Sequence, residues 1–88
     1  MPDQAPEKSI RAWLNSLPSN VIRAKLLIRV TDKRNYRYLF ERVGQEVSKY
    51  SQKVTLADSV PNSAILIGPD LDIKTLEQSA AQYITHQQ

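Results

Sequence analysis

The chain contains no cysteine. Disulfide staples, thiolate zinc sites, iron–sulfur clusters and cysteine nucleophiles are excluded together. Its one histidine is His86. A histidine-built metal site within one chain is therefore excluded, and a lone histidine in a polar tail makes no nucleophilic triad. Glycine is nearly absent, with Gly44 and Gly68 the only two. Neither a phosphate-binding loop nor a dinucleotide fingerprint can be assembled from them. No apolar run approaches the roughly 18 residues of a membrane span, and the opening Met-Pro-Asp-Gln lacks the apolar stretch of a signal peptide. A cytoplasmic location with no membrane attachment is expected. No catalytic residue, cofactor or metal ligand is expected.

What remains is an ordinary small globular composition. There are 88 residues, 41% of them hydrophobic and 24% charged, which suits one domain and is too apolar for a disordered chain. The net charge of +3 is unevenly spread. Residues 20–55 hold nine basic side chains against Asp32, Glu41 and Glu46, a local net of +6. The remainder holds three basic and six acidic side chains, a net of −3. The middle of the chain is expected to present a positive surface.

Periodicity predicts the elements. Residues 1–6 form a loose leader. A first helix runs over 7–17, with Ile10, Trp13, Leu14 and Leu17 on one stripe, and Pro18 stops it. Trp13 sits on that stripe and is taken as core rather than as a stacking platform. Period two then takes over in a strand at 21–31. Ile22, Ala24, Leu26, Ile28 and Val30 share one face, and Arg23, Lys25, Leu27, Arg29 and Thr31 share the other. Asp32-Lys33-Arg34-Asn35 makes a hairpin loop into a second strand at 36–43, with Tyr36, Tyr38 and Phe40 turned inward. A third strand is expected at 47–56 and a loop at 57–62. Ser63-Ala-Ile-Leu-Ile67 is a continuous apolar run of the kind found in a central strand buried on both faces. A last helix, capped by Asp70 or Asp72, runs to about Ile84 with Ile73, Leu76, Ala80, Tyr83 and Ile84 as its stripe, and 85–88 is a frayed tail. Capping is preferred over cation binding for these two aspartates.

The order is helix, three meandering strands, a fourth strand, helix. It implies an α+β two-layer sandwich, with two helices covering one face of a four-stranded, mainly antiparallel sheet. The other face is left open to a partner. The basic residues expected there are Arg23, Lys25, Arg29, Arg37 and Arg42.

Three blocks carry a family resemblance. The first helix and strand read Trp13-Leu14-Asn15-Ser16-Leu17-Pro18 and then Val21-Ile22-Arg23-Ala24-Lys25. The second strand reads Tyr38-Leu39-Phe40-Glu41-Arg42-Val43-Gly44. The fourth strand and last helix read Ile65-Leu66-Ile67-Gly68-Pro69-Asp70-Leu71-Asp72 and then Leu76. In this order they resemble the C-terminal domain of the CobW family of metal-handling P-loop GTPases, over about residues 10–84. In that family the domain follows a GTPase domain with a Walker motif and a cysteine-containing metal motif. Neither motif is present in these 88 residues. The resemblance implies a stand-alone copy of the accessory domain, filling residues 7–84. It implies a non-catalytic interaction or regulatory role, with a CobW-type GTPase or a second copy of the chain as partner. The alternative is a small basic nucleic-acid-binding domain, with Tyr36, Tyr38 and Phe40 stacking on bases beside the +6 segment.

Overall fold

A computed structural model describes residues 4–55 and 60–84. Strands and α-helices follow one another among the described residues. They are β1 (Gln4–Ala5), α1 (Glu7–Ser16), β2 (Arg23–Val30), β3 (Arg37–Val43), β4 (Glu46–Val47), β5 (Gln52–Val54), β6 (Ser63–Ile67) and α2 (Ile73–Ile84), with a short 3-10 turn at Thr31–Lys33 between β2 and β3.

Helix α1 ends where proline dictates. Leu17 leaves the helical region, with φ −61° and ψ 142°, because Pro18 follows it. At the other end Pro6 offers no side-chain cap. Asp32 supplies one from the β2–β3 hairpin, its Oδ1 accepting the Glu7 amide at 3.0 Å. Glu7 then pairs with Arg11 at 2.8 Å and with Lys33 at 3.0 Å. Hydrogen bonds from Arg11 and then Lys33 hold the Glu7 carboxyl below its ordinary value. Helix α2 is capped by Asp72, as the sequence predicts. Its Oδ1 accepts the Thr75 amide at 3.2 Å and its Oδ2 the Thr75 hydroxyl at 2.9 Å, and these bonds lower its pKa.

The sheet is mixed and curled, with four strand positions rather than four strands. β2 and β3 form the centre, antiparallel from Arg23↔Val43 to Arg29↔Arg37. Beyond β2, β6 pairs with residues 23–27 and β1 pairs in parallel at Gln4↔Arg29 and Ala5↔Val30. Beyond β3, β4 pairs at 42–43 and β5 at 37–39. Two expectations change. The leader over 1–6 is not loose throughout, since Ala5 is buried in β1. The third strand expected at 47–56 breaks into β4 and β5, because residues 48–51 are drawn out of line. Arg11 donates to the Ser48 and Lys49 carbonyls at 2.6 and 2.9 Å, and the Ser48 hydroxyl closes a turn onto the Tyr50 carbonyl at 3.0 Å. Leu56, part of the expected loop and the 85–88 tail lie outside the described residues, as does the side chain of Ile84.

Both helices contribute to one core against this sheet, so the α+β class holds, while the four-stranded, mainly antiparallel two-layer sandwich is matched only in part. Ile10, Trp13 and Leu14 from α1, Leu17 just beyond its end, and Leu76 and Ala80 from α2 meet Ala24, Leu26, Ile28, Val30 and Phe40 of the sheet. Trp13 is fully enclosed there, as expected. The α2 stripe is shorter than predicted, since Ile73 and Tyr83 are exposed. Gly68 closes the end of β6 against the chain leaving α1. A Cβ at this position would collide with the Asn20 main-chain carbonyl, so only glycine allows the two backbones to pass.

Candidate partner-binding face

The face away from the helices is organised in cross-strand rows. Direct partners in a ladder point to the same side of the sheet, so the register fixes each row. At one end Ile67, Arg23, Val43 and Glu46 stand side by side. Next come Ile65, Lys25 and Glu41. Then follow Ser63, Leu27, Leu39 and Gln52, and finally Arg29, Arg37 and Val54.

The first two rows are open to solvent. Val43, Ile65 and Ile67 are 60%, 58% and 53% exposed, which is unusual for aliphatic strand residues flanked by others of their kind. Arg23 and Lys25 stand between them, both exposed. Arg23 lies 3.8 Å from Glu41, a loose surface contact that does little to fix its position. Leu27 and Leu39 extend the apolar strip inward, half-buried. A groove of about 1230 Å³ borders the strip at the β4–β5 side, lined by Leu39, Glu41, Val43, Tyr50 and Arg11 among others. Tyr50 projects from its rim almost wholly exposed, on the loop that Arg11 ties to α1.

Three of the five basic residues expected on this face are there. Arg23 and Lys25 are exposed, and Arg29 is half-buried, donating to the Asn35 carbonyl at 3.2 Å. Arg37 points to the same side but is only 5% exposed beside β5, so it is not presented to a partner. Arg42 is a correction. It pairs with Ala24 and Val47, shares the helix-covered face with Phe40, and is 2% exposed. Strand parity alone carries the signal, because Arg42 stands two positions from the inward Phe40. The Nε and Nη1 atoms of Arg42 have no hydrogen-bond partner among the described residues.

β6 is a second correction. Its apolar run reads as a central strand, yet β6 lies at the edge, paired only with β2 among the described residues. Ser63, Ala64, Ile65 and Ile67 are exposed, and only Leu66 packs against the core. No local pattern in the sequence specifies the Arg11 tether of the β4–β5 loop. The Glu7–Arg11 spacing of four on a helix was its only sequence signal.

Phe40 is buried on the helix side, Tyr38 half-buried with it, and Tyr36 lies outside β3 with Lys53 over its ring at 3.9 Å. The open face thus has no aromatic side chain among its β2 and β3 residues. No group of three or more His, Cys, Asp or Glu could hold a metal ion among the described residues. None of the described helices is long and apolar enough to cross a membrane.

The arrangement defines a small α+β domain whose distinguishing feature is a mixed aliphatic and basic sheet face left uncovered by the described residues. The family described as the cobalamin synthesis protein CobW C-terminal domain matches residues 2–83. The chain belongs to this family, which is the accessory domain of CobW-type proteins and not their GTPase domain. No match is found among curated proteins or among solved structures.

Proposed function

We propose that this domain is a non-catalytic protein-interaction module, acting as the docking or regulatory unit of a CobW-type system. The observation that carries this reading is the open sheet face, where exposed Val43, Ile65 and Ile67 surround the cations Arg23 and Lys25. An apolar patch with fixed charges at its centre suits a protein surface, since burial supplies affinity and the charges set register and partner choice. The domain's family supplies the candidate partner, the GTPase domain of a CobW-type protein. Arg23, Lys25 and Arg29 are the residues that would meet acidic side chains on it. The nucleic-acid alternative retains the +6 segment but has no aromatic side chain among the open-face residues of β2 and β3.

The test is a titration of the chain with the GTPase domain of a CobW-type protein, read by calorimetry, for the wild type and for the Arg23→Glu/Lys25→Glu double variant. Binding by the wild type and at least tenfold weaker binding by the variant is expected, with an unchanged circular dichroism spectrum. Absence of binding by the wild type, or binding indifferent to the charge reversal, would overturn the reading. Anisotropy with duplex and single-stranded probes at low salt addresses the alternative, and a flat titration is expected.

A further inference from the structure

β6 is a strand with the composition of a sheet centre placed at a sheet edge. Its residues, Ser-Ala-Ile-Leu-Ile, contain no charge, no proline and no glycine. Natural edge strands are blunted by lysines, prolines, bulges or shortness, because a bare row of amides and carbonyls pairs with any strand that reaches it. The opposite edge of this sheet is blunted in that manner. β4 and β5 are two and three residues long, are split by the 48–51 loop, and carry Glu46 and Lys53. β6 has five residues in line and no device of this kind. Among the described residues nothing pairs with its outer edge. Pro61 and Pro69 stand outside it at both ends and delimit the free edge to these residues.

We infer that the outer edge of β6 pairs antiparallel with β6 of a second copy, joining two domains into one continuous sheet. The occupant follows from the strand's own chemistry. An uncharged edge matches an uncharged edge, and a two-fold axis through Ile65 brings all five residues into register. Ile65 then faces the partner's Ile65, Ala64 faces the partner's Leu66, and Ser63 faces the partner's Ile67. Such an interface is isologous and closes at two copies. Antiparallel pairing about an axis normal to the sheet keeps both open faces on one side. Along one row Lys25 and Ile65 of each copy become consecutive, so the exposed isoleucines meet at the centre with a lysine on each flank. The apolar pattern of β6 is thereby explained, because pairing makes it a central strand. This inference does not depend on the identity of the partner proposed for the open face.

Five residue pairs make a small interface, so the association is weak and visible at about 10 µM to 1 mM. Sedimentation equilibrium across that range is expected to show the mass rising from one chain towards two. The absence of cysteine permits a sharper test. Cα atoms of facing antiparallel residues lie about 4.5–5.5 Å apart, within disulfide range. The Ile65→Cys variant is expected to form an intermolecular disulfide under mild oxidation at least tenfold faster than Val43→Cys, whose side chain is equally exposed. Ile65→Lys, which sets two ammonium groups face to face, is expected to weaken association at least tenfold. Circular dichroism reports whether that variant folds, and the cysteine pair remains decisive if it does not. A single-chain mass at 1 mM would overturn the inference. So would equal oxidation rates, or faster oxidation of Val43→Cys, which would place the contact on the open face instead.

Discussion

The two faces of β2 differ more than the strand's short length suggests. Ala24, Leu26, Ile28 and Val30 are wholly enclosed under two helices, while Arg23 and Lys25, one position away, stand in solvent between exposed aliphatics. One side of the strand builds the domain and the other is left over from that task. A domain this small has too little chain to cover both sides of a sheet. The apolar residues it nevertheless keeps on the open side, Val43, Ile65 and Ile67, contribute little to its own core. The docking role proposed for the open face would give them a use.

The division can be broken most severely from the covered side. Trp13 is the largest enclosed apolar side chain, and Trp13→Ala should cost about 3–5 kcal/mol, lowering the melting temperature by about 12 °C or more in a thermal scan. A loss under 1 kcal/mol would show that the helix layer is not the core. Gly68→Ala forces Asn20 and β6 apart where the two layers join, and should cost about 1–3 kcal/mol by urea denaturation. A neutral result would mean the chain leaving α1 is free to move aside.

Arg42 sharpens the comparison because it is a buried charge on the covered face. Two of its nitrogens lack partners among the described residues, and guanidinium does not shed its charge when buried. Arg42→Met should be neutral or stabilise by about 1 kcal/mol, whereas Arg42→Ala should destabilise through the cavity it leaves. A loss of more than 2 kcal/mol in Arg42→Met would reveal a required partner. The smallest effect comes from the helix rim. Glu7 has its pKa lowered by Arg11 and Lys33, so its contribution is present above the ordinary value of 4.5 and is lost as pH falls through the lower folded value. Glu7→Gln should cost about 0.5 kcal/mol at pH 7, and the difference from wild type should fade as pH falls below the ordinary value of 4.5. A difference that persists at pH 2 would place the effect in packing instead of charge.

Much of this was legible in the sequence. The α1 stripe, the stop at Pro18, the alternation of β2 and the Asp72 cap rest on local rules, and the structure follows them. The family resemblance also holds over nearly the whole chain. Two kinds of feature were not legible. An apolar run such as 63–67 reports that its residues prefer burial, and it does not report whether this chain provides the burial. Residues 48–51 leave the strand path because of Arg11, 37 positions before Ser48, and no local pattern records that contact. The basic face was half legible. Alternation puts Arg23, Lys25 and Arg29 on it; the expectation that Arg42 joins them runs against the same alternation, and only tertiary packing removes Arg37.

Methyl resonances report the two faces of the same strands separately, which makes them the most direct test. In a methyl-labelled sample titrated with the GTPase domain of a CobW-type protein, the methyl signals of Val43, Ile65, Ile67, Leu27 and Leu39 should shift. Those of Leu26, Ile28 and Val30, on the reverse of the sheet, should stay in place. Shifts confined to the covered face, or no shift on the open one at saturating partner, would contradict a docking role for the open face.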